Sequence, residues 1–359
     1  MIRPSSIVII LVSCSTLLCR KDVPVGPKYP PLGKRDYSWT ADTLAYPGSP
    51  QTIMRDIWAS SASDVYVVGE NESPPGPGEI YHFDGQKWTS SKFHVLDGGR
   101  ISGPTYLNGV YGFSQNDVWV VGERDSEYPP NSGNYVDSSL ILHNNGKGWH
   151  EHHLTGGRAL YGLWGRDSND VWVGGRDGSL YRLTVAEPSK ITFPSGFTIA
   201  NICGFGIDSI YLRSYLQAQP TNVYTVLDIL NGVTLTRIDT TQSYPAMPRF
   251  GDAFMSVMAP NIILTSGRGG VFQRTAGGWK NLLDIGNGSI AGIFASEAND
   301  IFAVGQGIIY QFNGNDWSRY TQFSDQNISW LRIWADGNEV FIVGFTLSGP
   351  NKTIILHGK

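Results

Sequence analysis

Seven times the chain returns to one pattern. A large apolar residue, an aromatic or other bulky residue and a small residue are followed, after a short polar stretch, by an aliphatic run. Five copies are clear. Ile57-Trp58-Ala59 leads to Asp64 and Val65–Gly69, and Val110-Tyr111-Gly112 leads to Asp117 and Val118–Gly122. Leu163-Trp164-Gly165 with Asp170–Gly175, Ile293-Phe294-Ala295 with Asp300–Gly305, and Ile333-Trp334-Ala335 with Val340–Gly344 keep the same register. Two weaker copies fill the middle: Ile202-Cys203-Gly204 with Ile210-Tyr211-Leu212, and Phe254-Met255-Ser256 with Ile262-Ile263-Leu264. Self-similarity of this kind means stacked units, each unable to bury its apolar face alone.

Each unit continues alike. After the glycine comes a variable loop, then an alternating strand such as Ile80-Tyr81-His82-Phe83, then Gly-x-x-Trp at Gly85–Trp88, Gly146–Trp149 and Gly314–Trp317. Blade four has Gly232–Leu235 there, and blade five keeps Trp279 after Gly277-Gly278. Four short antiparallel strands per unit describe a propeller blade, so the expected fold is an all-β, seven-bladed β-propeller. The position after the bulky residue is always small (Ala59, Gly112, Gly165, Gly204, Ser256, Ala295, Ala335), as innermost strands crowded round an axis require. Asp64, Asp117, Asp170 and Asp300 recur at one turn, which makes them structural; an Asx-type bond to their own loop is expected.

The last unit lacks its Gly-x-x-Trp strand after Thr353–His357, while an unclaimed Asp36-Tyr37-Ser38-Trp39 precedes the first. An N-terminal strand completing the seventh blade would close the ring and leave no free edge.

Residues 1–13 have the form of an export signal: Arg3, then an apolar core at Ile7–Val12 too short to span a bilayer. Leu11-Val12-Ser13-Cys14 resembles the bacterial lipobox, which makes Cys14 the expected lipidation site, with Cys19 the alternative if the signal is atypical. Residues 14–35, rich in Pro and Gly, read as a tether, and residues 36–359 as the propeller. That places the protein on a bacterial cell envelope through a lipid, at the outer membrane in a Gram-negative host. Cys203, in a core strand, reads as a small buried hydrophobe. The formal charge of −4 (27 Lys and Arg against 31 Asp and Glu) gives no basic face for nucleic acid.

Asp84-Gly85-Gln86-Lys87-Trp88 and its relatives resemble a worn Asp-box, in which aspartate and glycine turn into a strand bearing Trp. Over residues 36–359 the chain resembles bacterial propellers with sialidase-type (BNR-like) and photosystem II assembly-factor-like repeats. The Ser-x-Asp start is absent and only Asp84 keeps the aspartate. The resemblance implies the propeller; it does not imply one activity, because propellers host many.

For chemistry, Glu70 and Glu123 each follow a blade's glycine on the same face, the placement paired carboxylates need in a glycosidase. Arg176 and Gln306 take that place in other blades, which favours a polar rim. Arg55, Arg176, Arg268 and Arg332 fall near inner-strand ends, yet no Arg-Ile-Pro motif marks a sialidase site. His150 and His152 share a strand face, but a third metal ligand is not visible, and no metal or cofactor is expected. Symmetry is broken by the loops Glu70–Glu79 and Arg124–Ser139, the second carrying Tyr128 and Tyr135 as aromatic anchors. The expectation is a monomeric, non-enzymatic binding or assembly module that recognises a protein or glycan through Glu70, Glu123, Arg124, Tyr128, Tyr135, Arg176 and Arg268. The alternative is a carbohydrate-active, sialidase-like hydrolase or lyase in the central mouth.

Overall fold

The second strand of every repeat is apolar at consecutive positions, and that run is intelligible only if both its faces are covered. In the computed structural model they are. The described residues are 31–359 except 73–77, 92–94, 97–98, 101–104, 128–134, 184–187, 192, 195, 206–208, 220–221, 245 and 260–261. Val65 to Val68 are all buried, but Val65 and Val67 pack with Phe341 and Val343, whereas Tyr66 and Val68 pack with Leu107 and Val120. Each second strand therefore serves two apolar clusters. Among the described residues seven such clusters occur, one for each junction between neighbouring sheets.

The architecture is a seven-bladed β-propeller of antiparallel sheets. Blades one to four run Thr52–Ser61 to Trp88–Ser90, Thr105–Ser114 to Trp149–His152, Leu160–Asp167 to Ser189–Ile191, and Phe197–Phe205 to Thr234–Tyr244. Blade six spans Gly292–Glu297 to Trp317–Arg319. In blade five the middle strand Ile262–Thr275 pairs its first part with Phe254–Ala259 and its second with Gly278–Ser289. Gly269 and Gly270, both at positive φ, interrupt that strand, so it fills the places of a second and a third strand. Among the described residues the only helical turns are two short 3₁₀ segments, Arg176–Gly178 and Thr321–Phe323; no helix is long and apolar enough to cross a membrane.

Blade seven is completed from the other end of the chain. Trp39–Leu44 pairs antiparallel with Thr353–Gly358, in register from Trp39 opposite Gly358 to Leu44 opposite Thr353. Ser38 and Lys359 exchange two further backbone bonds, of 2.9 and 3.0 Å. Tyr37 and Leu44 are buried, and the Trp39 ring packs edge-on against Tyr320 and Phe323 of the neighbouring blade. Ahead of the strand, Arg35 pairs with Asp316 at 2.7 Å and Gly33 lies so close to Asn299 that a Cβ would meet its carbonyl oxygen at 2.2 Å.

The small position has a more particular cause than axial crowding. A Cβ on Gly112 would strike the Trp58 ring at 2.7 Å, one on Gly165 the Phe113 ring at 2.4 Å, and one on Gly204 the Trp164 ring at 2.3 Å. The preceding blade's aromatic lies across that site.

The recurring aspartates also act differently from the Asx expectation. Each reaches across to the third strand: Asp64 Oδ1 to His82 Nε2 at 2.7 Å, Asp117 Oδ1 to His143 Nε2 at 2.9 Å, Asp170 to Arg182 at 2.6 Å, Asp300 to Gln311 at 2.6 Å. Glu339 holds His357 in the same way at 2.6 Å. The imidazoles stack on the second-strand aromatics, His143 on Trp119 at 3.9 Å and His357 on Phe341 at 3.8 Å between centroids. Asx turns are made by other residues: Asp84 Oδ1 accepts from the N–H groups of Gln86 and Lys87 at 2.9 Å in an outer hairpin, and Asp336 Oδ1 from those of Asn338 and Glu339 at 2.9 and 2.8 Å in an inner one.

Candidate functional site

Five inner strands carry a one-residue irregularity at the same place. The pairing skips Arg55 in blade one, Asn108 in blade two, Tyr161 in blade three, Ala200 in blade four and Leu331 in blade seven. A bulge bends its strand and re-aims a side chain. Here all five residues line the central channel, a cavity of about 590 Å³ bounded by the inner strands of all seven blades.

Where the second strands end, the channel opens over blades one to three into a further cavity of about 570 Å³. Its walls are Arg55, Asn108 and Tyr161 from the bulges, Glu70, Glu123 and Arg176 after the blade glycines, and Tyr106, Asp125 and Asp137. Four carboxylates thus face two guanidiniums. Arg55 Nη2 donates to Glu70 Oε1 at 2.6 Å, while Glu70 Oε2 is buried with no hydrogen-bond partner. Arg176 pairs with Asp137 at 3.1 Å and donates to the Tyr161 hydroxyl at 3.0 Å.

Asp137 is the keystone between blades two and three. Burial pushes its carboxyl up, but hydrogen bonds from Arg158 and the Ala159 N–H, with Arg176 close by, outweigh that and hold it below the ordinary carboxylate range. Glu123 goes the other way. Burial raises it, the Arg176 charge opposes, and repulsion from Asp125 and Asp137 adds to the rise. Asp125 is raised by burial and by Asp137. The phenol of Tyr161 is pushed up by burial and by Glu123 and pulled back by Arg176.

The structure therefore brings Glu70, Glu123 and Arg176 together, with Arg55. It places the other sequence candidates elsewhere. Arg124, one residue on from Glu123, points to the opposite face of its strand and donates to Glu151 at 2.7 Å. Arg268 in blade five pairs with Asp252 at 3.5 Å, donates to the Ala246 carbonyl at 2.6 Å, and does not line the mouth. Tyr128 and Cys14 lie outside the described residues. Tyr135 opposes Glu127 in the backbone ladder.

That ladder corrects the reading of Arg124–Ser139 as a loop. Asp117–Glu127 and Tyr135–Asn144 stay paired through Arg124 opposite Ser138, so blade two rises above the rim as a long hairpin. The segment looks like a loop in sequence because its residues are polar on both faces, as strands beyond a core must be. Asp125 and Asp137 escaped the sequence reading for this reason, although Asp125 lies two residues from Glu123 and so shares its face.

No group of three or more His, Cys, Asp or Glu among the described residues is arranged to hold a metal ion. His152 instead lies against Trp119 and His143, at 5.0 and 5.8 Å between centroids. Cys203 lines the channel with its thiol donating to the Met255 carbonyl at 3.2 Å, and burial pushes that thiol up to about 12.

No family model matches the chain, and no curated protein matches it in sequence. Solved structures do match in shape. One, described as YCF48 bound to D1 peptide, aligns with a TM-score of 0.60 at 15% identity, covering 91% of this chain and 99% of that one. Another, the extracellular domain of BT4673 from B. thetaiotaomicron, aligns with a TM-score of 0.57 at 12% identity, covering 88% of this chain and 40% of the other. At these identities the likeness is one of fold.

Proposed function

We propose that the protein is a non-enzymatic binding module, held on a bacterial envelope by a lipid on Cys14, whose mouth over blades one to three seats an extended protein segment bearing Lys or Arg. The observation that carries this reading is the surplus of carboxylates in that cavity, with Glu70 Oε2 unanswered and Glu123 raised by burial and further by Asp125 and Asp137. A cationic side chain would relieve both. Tyr106 and Tyr161 offer amphipathic walls whose rings lose little freedom on contact. The YCF48 structure, in complex with a peptide, lends support as an instance of a similarly shaped propeller used for peptide binding.

The test is a peptide array probed with the purified protein and with its Glu70→Gln/Glu123→Gln variant. Basic peptides should be retained by the parent, weakened by salt, and lost at least tenfold in the variant, about 1.4 kcal/mol. Equal retention of acidic and basic peptides overturns the reading.

A second reading rests on Tyr161 and Glu123, which stand together beside Arg176 and supply a phenol, a raised carboxyl and a cation at one cleft. A sialidase-like enzyme uses those groups. The binding reading is preferred because both mouth arginines are already engaged by carboxylates of the protein. Release of a fluorogenic aryl sialoside, abolished in Tyr161→Phe, would reverse that preference.

A further inference from the structure

Inside the channel, one blade breaks the repeat in a costly way. Opposite the residue that follows the bulge, blade one has Val68, blade two Val121 and blade seven Val343, and Val304 opposes Gly292 in blade six. Blade four has Arg213. Its side chain is buried, 5% exposed, and faces no carboxylate within ion-pair distance among the described residues. Nη1 donates to the Asp252 carbonyl oxygen at 2.9 Å, and Nε has no hydrogen-bond partner. Asp252 is the acidic side chain whose charge acts on it most, and that carboxylate is taken by Arg268, through its backbone N–H at 2.9 Å and its Nε at 3.5 Å.

A second guanidinium shares the cavity. Arg332 of blade seven lies over the Phe254 ring at 4.0 Å, donates to the carbonyl oxygens of Leu331 and Ala291, and stands 3.7 Å from Asp56. Asp56 in turn accepts the Val110 N–H at 3.0 Å. Three guanidiniums, Arg55, Arg213 and Arg332, thus stand against one carboxylate within the cavity wall, and of the three only Arg55 is closely paired, with Glu70 at 2.6 Å. Burial and the like charge of Arg332 pull Arg213 down to about 10, which still leaves it charged at neutral pH. A buried guanidinium without a counter-charge is strongly unfavourable unless something compensates it, and valine at the equivalent place shows that the fold does not need it.

We propose that the central channel is a binding site for a small oxyanion, a carboxylate or phosphate group, held between Arg213 and Arg332. A planar guanidinium suits such groups because its N–H donors pair with two oxygens at once. The cavity of about 590 Å³ has room for the anion, and Phe254 and Tyr215 line it beside the two guanidiniums. This site is distinct from the acidic mouth and does not depend on what the mouth binds.

Isothermal titration of the whole protein with sodium phosphate and with sodium acetate, each at constant ionic strength made up with sodium chloride, tests it. Saturable binding of either anion is expected. Arg213→Val, which copies the residue of the sister blades, should fold at least as well as the parent and bind that anion at least tenfold more weakly. Arg332→Gln should weaken it similarly, and it decides the question should Arg213→Val fail to fold. Absence of saturable binding of both anions by the parent overturns the proposal, as does unchanged affinity in a folded variant.

Discussion

Cutting the ring at its closure gives the most direct check on how it is held. Removal of residues 32–44 strips the outer strand from blade seven. Tyr37 and Leu44 are 8% and 5% exposed, and each fully buried side chain of this size contributes about 1.5–3 kcal/mol. Trp39 is only partly buried and its indole N–H lacks a partner, so Trp39→Ala should cost about 2–3 kcal/mol, below the ~3–5 of a fully enclosed aromatic. The three anchors together approach roughly 5–9 kcal/mol as an upper figure. That is comparable with the entire stability of many domains, about 5–15 kcal/mol. In calorimetry Trp39→Ala should lower the melting temperature by about 3–4 °C, using roughly 1.5 °C per kcal/mol for a chain this long. The deletion should melt far lower. It should also elute as oligomers, since Thr353–Gly358 becomes an unpaired edge carrying Ile354, Ile355 and Leu356. A deletion variant that stays monomeric and melts within a degree or two of the parent would refute the argument.

Three further outcomes are expected. Burial lifts the Asp56 carboxyl to about 6, against the pull of Arg332 and the N–H groups of Val110 and Ile57. A folded value above the unfolded one means a contribution fully present below about pH 4 and lost as pH rises through about 6, so Asp56→Asn should compare progressively better with the parent from pH 4 to pH 8, by up to about 3 kcal/mol; a difference independent of pH contradicts the assignment. Asp117→Ala should lower stability by about 1–3 kcal/mol in urea, because it leaves His143 and the Trp119 indole N–H unanswered, and Asp117→Asn should recover much of that. Mass spectrometry of the mature protein should find a diacylated or triacylated Cys14 at the N-terminus; any other mature terminus removes the lipid anchor.

The blade count, the closing strand and the outer tryptophans were legible because they recur, and recurrence averages out local ambiguity. The outer tryptophans do tie neighbouring blades, Trp88 through its indole N–H to Asp42 at 3.2 Å and Trp279 to Asp239 at 2.9 Å. What recurs only in geometry was harder to see. A bulge shifts which face the following residues occupy without leaving a residue signature, so Tyr161 and Asn108 gave no sign that they point into the mouth. Arg124 heads the polar segment that reads as a loop in sequence, whereas alternation along a strand sets it on the face opposite Glu123. Arg213 was hidden in one of the weakest copies, where departures from the pattern look like wear.

The repeated bulge also bears on how such a chain can change. At five points around the channel the bulged residue takes no place in the pairing register, so its identity is uncoupled from the ladder that holds the blade. Arg55, Asn108, Tyr161, Ala200 and Leu331 already differ in charge, size and polarity at equivalent places in five blades. Substitution there rewrites the lining while leaving the seven apolar junctions as they were. Descendants of this sequence can therefore diverge in what they hold long before they diverge in shape.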